Sequence, residues 1–216
     1  MVLMEKIAIA VTNHKGGVGK TTIAHILSQI IAQNNKMKVI AYDLDPQRNL
    51  TDSLSLVDFP NLEIKHGIGE KDETLDANAF IIDCPPALNS IVEDAISFAD
   101  IVLVPVFADL YSVTNLDVLF RRIKEMGKID SQIALVKNCL DETILSRDLD
   151  DFLTEKHYPV AGRLPRNRLI RSNISNGNVW NYRVRSVNQT PFISLLERTR
   201  KAFNALLAGK TEQAWK

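Results

Sequence analysis

Three glycines, two lysines and two threonines fall within eight residues, Lys15-Gly16-Gly17-Val18-Gly19-Lys20-Thr21-Thr22. Glycines at this density let the backbone curl until successive N–H groups converge, which is how a chain cradles phosphate oxygens. Lys20 is then placed to reach β and γ phosphates, and the Thr21 hydroxyl to bind the Mg²⁺ that bridges them. Two acidic stations follow. Tyr42-Asp43-Leu44-Asp45-Pro46 carries two aspartates at alternate positions, and Ala79-Phe80-Ile81-Ile82-Asp83-Cys84-Pro85-Pro86 is an apolar run that ends in one. Alternation puts Asp43 and Asp45 on one side as the strand runs out. Acids beside a triphosphate would repel it without a metal, so Mg²⁺ is implied a second time, with Asp83 placed to hold it through water. No guanine-selecting Asn-Lys-x-Asp sequence occurs, which favours ATP over GTP as the nucleotide.

Such residues need a rigid frame. Apolar, β-branched runs at 6–13, 38–43, 79–83, 101–107, 133–137 and 159–164 read as buried strands, and the stretches between them have helical spacing at 19–34, 90–99, 112–126 and 143–157. A last helix is predicted over 190–207, opened by Thr190-Pro191. The alternation is that of an α/β, doubly wound, mostly parallel sheet flanked by helices, a P-loop NTPase fold in which the glycine loop follows a strand and opens a helix. With 216 residues and neither repeat nor linker, residues 1–216 read as one domain.

Composition excludes several classes. The strongest apolar run, 101–107, is far shorter than the ~20 residues of a membrane span, and Glu5 and Lys6 interrupt any signal-peptide pattern. A cytoplasmic protein is expected. Cys84 and Cys139 stand 55 positions apart without a CxxC partner, so neither a disulfide framework nor a thiolate metal site is supported. The formal net charge of zero hides a division: residues 163–201 hold nine basic residues and one acid, whereas residues 1–162 carry a net −9. Arginine dominates this basic third, and its fork suits phosphate. Double-stranded DNA, bound without sequence preference, is the natural partner, with Arg183, Arg185, Arg198 and Arg200 as candidate contacts.

The spelling Lys-Gly-Gly-x-Gly-Lys-Thr-Thr, with His14 where the ordinary phosphate loop begins on glycine, resembles the deviant Walker A motif of the ParA/MinD superfamily of ATPases. Asp43-x-Asp45-Pro-Gln-x-Asn-Leu-Thr is similar to that family's switch I, and the strand ending Asp83-Cys-Pro-Pro to its switch II. Only 38 residues separate Asp45 from Asp83, an economy resembling the small plasmid-type, Soj-like ParA proteins. The resemblance implies that Lys20 acts on its own subunit's ATP and Lys15 on the other subunit's across a dimer. It assigns Asp45 to orienting the attacking water and Asp43 to the magnesium region, and it places Asn138 and Pro165 beside adenine. It further implies an ATP-bound homodimer that binds DNA on the nucleoid, with hydrolysis stimulated by a small ParB-like DNA-binding partner and slow without it. Two other readings share the loop: a MinD-like regulator at a membrane surface, and a metabolic ATP-dependent ligase. The polar tail 209–216 argues against a membrane anchor, and Lys15 argues for a dimeric switch over a ligase.

Overall fold

The computed structural model describes residues 6–33, 37–69, 76–109, 115–140, 144–166 and 190–215. Seven strands form one sheet: β1 (Ile7–Val11), β2 (Val39–Asp43), β3 (Leu62–Lys65), β4 (Ala79–Asp83), β5 (Ile101–Val106), β6 (Ile133–Leu140) and β7 (Val160–Pro165). Their order is β3-β2-β4-β1-β5-β6-β7, and every pairing is parallel. Every residue of β1, β2, β4 and β5 is buried, as expected of strands covered on both faces.

The helices are α1 (Lys20–Ala32), α2 (Asn49–Leu54), α3 (Ser90–Phe98), α4 (Leu116–Glu125), α5 (Ile144–Glu155) and α6 (Thr190–Leu207). Their layers follow from the strand order. From β1 the chain winds towards β2 and β3, and from β4 it crosses to β5 and winds towards β7. Right-handed crossovers in opposite directions put their helices on opposite faces. Thus Ile7, Ile9 and Val11 pack with Ile23 and Leu27 of α1, Leu50 and Leu54 of α2, and Leu195 and Phe203 of α6. Ala8 and Ala10 face Val92 and Ile96 of α3, Leu119 and Ile123 of α4, and Leu149 and Leu153 of α5. The reversal of direction falls at β1, so the loop leaving its carboxyl end enters the crevice where open α/β sheets bind ligands.

Strand 79–83 and helix 190–207 are found at the bounds read from the sequence, and the other shared elements differ at their ends. β6 runs on to Leu140, and α5 stops at Glu155, two residues before His157 turns left-handed at φ 54°. Residue 34 of the first predicted helix, residues 112–114 of the third and residue 143 of the fourth lie outside the described residues. Apart from short 3₁₀ turns at Asp130–Gln132 and Thr211–Gln213, two elements were not expected. β3 is a short edge strand whose Glu63 is exposed, and α2 has six residues, three of which (Asn49, Asp52 and Ser53) favour caps over helix interiors. What holds α2 in place belongs to the site.

Candidate nucleotide-binding site

The loop is built from β1 outward. Asn13, almost fully buried, donates its side-chain amide to the Pro105 carbonyl at 2.8 Å and accepts from the Lys15 N–H at 3.0 Å, which fixes the start of the loop to the end of β5. Gly17 and Gly19 then take φ of 75° and 97°, a region that side chains disfavour. At Gly19 space adds a second restriction, because a Cβ would lie 2.1 Å from the Asn138 amide nitrogen. That nitrogen donates to the Val18 carbonyl at 2.9 Å. Gly19 is also the N-cap of α1; it offers no capping side chain, and the first turn of the helix contains no acid. The positive end of the helix dipole therefore faces the loop with no charge from its own turn to offset it, which suits an anion.

Lys20 opens α1 and is buried, its ammonium donating to the Lys15 carbonyl at 3.1 Å. Burial lowers its pKa, against the pull of the Asp83 and Asp45 carboxylates. Lys15 points elsewhere, to Asp109 at 2.8 Å. The two lysines of the loop thus diverge.

Asp83 ends β4 in register with Asp43 of β2. It is fully buried, and neither carboxylate oxygen has a hydrogen-bond partner. Burial pushes its pKa up to about 7; Asp43 and Asp45 push the same way, while the nearby Thr21 hydroxyl and Lys20 oppose them. A buried, unpartnered carboxylate beside a hydroxyl fits a hard divalent cation, which would take the place of the proton. Among the described residues no three His, Cys, Asp or Glu side chains cluster as a metal cage. The neighbouring Cys84 thiol is buried and its pKa is pushed up to about 12 by that burial, so it is inert.

Asp43 has a structural task. One of its oxygens accepts from both the N–H and the hydroxyl of Thr51, each at 2.8 Å, and the other accepts from the Asp45 N–H at 3.3 Å. These bonds satisfy donors at the start of α2 that its N-cap, Arg48, leaves without a side-chain acceptor. Asp45 is half-buried at the mouth of the site, where its carboxylate accepts from the Gln47 N–H at 2.9 Å.

A second tie joins α2 to α1. The hydroxyl of Ser53 donates to the Leu50 carbonyl, so it accepts from Nδ1–H of His25 at 2.8 Å, and Nε2 of His25 accepts from the Gln29 amide at 2.9 Å. His25 is fully buried in this neutral tautomer, and burial lowers its pKa from 6.5 to about 4. Below pH 6.5 the unfolded chain takes up a proton that the folded chain refuses until about pH 4, so stability falls as the pH drops through this window. The contribution is up to about 3 kcal/mol. Urea denaturation across the window should record the decline, and His25→Gln should flatten it.

Of the residues read from the sequence, the structure brings Lys20, Thr21, Asp45 and Asp83 together and turns Lys15 outward. Asn138 lies under the loop, and Pro165 is exposed at the end of β7. Arg183 and Arg185 lie outside the described residues. Arg198 and Arg200 are both exposed, but two positions on one helix lie about 200° apart, so they face different directions. Arg198 donates to the Trp215 carbonyl and, with Arg163, lines a groove of about 810 Å³ beside α5. The tail folds back onto the body: the Trp215 indole donates to the Ser131 carbonyl at 2.7 Å, and Ala214 is buried. No described helix is long and apolar enough to cross a membrane. Sequence reasoning passed over Asn13, His25, Ser53 and Asp109. A polar residue at the end of a wholly apolar strand was the available signal for Asn13.

A parallel, doubly wound sheet with a glycine loop between its first strand and helix, and carboxylates at the ends of two neighbouring strands, defines a P-loop nucleotide-binding domain. Residues 9–179 match the family of the CobQ/CobB/MinD/ParA nucleotide binding domain, and the chain belongs to that family. Among its relatives is the chromosome partitioning protein ParA of Caulobacter vibrioides, 25% identical over 218 aligned residues that cover 74% of this chain and 80% of that protein. The chromosome-partitioning ATPase Soj of Thermus thermophilus is 29% identical, with 55% of this chain and 61% of Soj covered. Solved structures that share the fold include the following two. A plasmid partition protein of Borrelia burgdorferi B31, bound to AMPPNP, superimposes with a TM-score of 0.72 at 20% identity, covering 89% of this chain and 98% of that one. The Pyrococcus horikoshii septum site-determining protein MinD, complexed with Mg-ADP, gives 0.76 at 20% identity, covering 95% and 98%.

Proposed function

We propose that this protein is a ParA-type ATPase that positions DNA or another large cargo by cycling between an ATP-bound dimer on DNA and a free monomer. The observation that carries the reading is the divergence of the two loop lysines: Lys20 lies inside with Asp83 and Asp45, and Lys15 is turned out of its own loop. A lysine so placed can serve a nucleotide on a second copy. Relatives named ParA and Soj, and the AMPPNP-bound plasmid partition protein, support the same class.

In this mechanism the backbone N–H groups of Gly16 to Thr22 and the ammonium of Lys20 bind the phosphates of ATP. Thr21 and Asp83 would hold Mg²⁺, which would supply charge neutralisation to the phosphates. Asp43 keeps α2 and the turn before it in place. Asp45 orients the attacking water, and Lys15 of the opposite copy stabilises the charge that develops on the transferred phosphoryl group. Loss of the γ phosphate removes the contacts that favour the closed dimer, which separates and leaves DNA. Hydrolysis is slow until a ParB-like partner accelerates it. DNA contacts are drawn from the basic third 163–201, and the ATP-bound form is nucleoid-associated.

The experiment is retardation of a random-sequence duplex with ATP, ADP or no nucleotide, across a salt series. Retardation should require ATP, and log affinity should fall with log salt at a slope of about −0.9 per phosphate contacted. ATP-dependent sedimentation with anionic liposomes in place of DNA retardation would overturn the DNA reading in favour of a membrane-surface regulator.

A further inference from the structure

The outward turn of Lys15 has a specific cause. β1 and β5 pair side by side, with Val11 opposite Leu103, so the loop leaving β1 and the segment leaving β5 start next to each other. Asn13 clamps them, binding the Pro105 carbonyl on one side and the Lys15 N–H on the other. From that fixed start the Lys15 ammonium reaches both carboxylate oxygens of Asp109, at 2.8 and 3.1 Å. Each side chain of this pair is 33% exposed, so it is accessible to an incoming group yet partly shielded from solvent. The Lys15 carbonyl meanwhile accepts from Lys20. One backbone unit therefore holds one lysine inward while its own side chain is held outward.

We infer that Asp109 is the intrachain counter-ion of Lys15, which it holds in the monomer and must surrender to the partner's nucleotide when two copies close. This rests on the reading above, in which Lys15 acts across the dimer. The Asp109 carboxylate and a triphosphate compete for one ammonium. The carboxylate is always present and carries one charge; the triphosphate carries more charge and appears only when a loaded copy approaches. The exchange therefore opposes dimer formation by the strength of the Lys15–Asp109 pair and sets the protein concentration at which the loaded dimer appears. Partial exposure keeps that opposition modest, so it tunes the threshold without blocking closure.

Sedimentation equilibrium in Mg²⁺ and AMPPNP, where turnover is blocked, tests this with five proteins: wild type, Asp109→Asn, Asp109→Ser, Asp109→Glu and Lys15→Ala. Because each dimer gives up two such pairs, one per copy, both neutral variants should lower the dimer dissociation constant by about 2- to 30-fold, and Asp109→Glu, which restores the charge, should return it towards wild type. Lys15→Ala should not dimerise, and adding Asp109→Asn to it should change nothing. Unchanged or weaker dimers of both neutral variants, with Lys15→Ala still monomeric, would overturn the counter-ion role and leave the trans lysine intact. Full dimerisation of Lys15→Ala would overturn the trans reading itself.

Discussion

Lys20→Ala is expected to lower affinity for ATP by about 100-fold or more, the scale on which removing one member of a buried, hydrogen-bonded charge pair acts. In the chain as it stands, the Lys20 ammonium is desolvated at the first position of α1, close to the carboxylates of Asp83 and Asp45. Its ammonium donates to the Lys15 carbonyl, so truncation takes one backbone tie from the folded body and most of its effect falls on phosphate binding. Removing the ammonium also takes away one of the two influences that hold the Asp83 pKa down, which makes the carboxyl harder to ionise just where a metal would need it ionised. Titration with a fluorescent ATP analogue checks the outcome, and affinity within a few-fold of wild type would remove Lys20 from the phosphate site.

Asp45→Ala is expected to separate binding from turnover. Asp45 is half-buried at the mouth, bonded to the backbone of its own turn, and it contributes to the electrostatics of both Lys20 and Asp83. A carboxylate in that position can orient a water without being needed to grip the nucleotide. Its loss should slow ATP hydrolysis by about 10²- to 10⁴-fold, the usual range for a positioned general base, while ATP affinity changes by less than about tenfold. The variant should then accumulate as the ATP-bound dimer. Single-turnover phosphate release together with sedimentation measures both parts, and hydrolysis at the wild-type rate would free Asp45 from the mechanism.

The layers and the loop were legible in the sequence because each rests on a short-range rule. Fully apolar strands alternating with amphipathic stretches can only be a parallel sheet with two covered faces, and a glycine-rich turn from strand to helix has one geometry. What escaped depends on partners distant in the chain. α2 is invisible to propensity because the groups that hold it, Asp43 and His25, lie outside its six residues. Asn138, placed beside adenine by resemblance, also braces the loop through Val18, 120 positions away, a tie that no local pattern announces. Asp43 follows the same pattern: alternation put its carboxylate at the sheet edge correctly, and only the fold shows that its oxygens are taken by Thr51 and Asp45. The basic third is legible as charge alone, since helical spacing sends Arg198 and Arg200 in different directions and much of the segment lies outside the described residues.

The assignment of helices to faces has a practical result for anyone who wishes to follow this protein by fluorescence. α1, α2 and α6 share one side of the sheet, with Ile23, Leu54 and Phe203 in a single apolar cluster, so a shift in the loop helix can reach the C-terminal helix without traversing the strands. α3, α4 and α5 stand on the reverse side, where Val118 and Leu145 are exposed. A dye attached at either position would sit on the side of the sheet away from the loop helix and the C-terminal helix, clear of the apolar cluster that joins them.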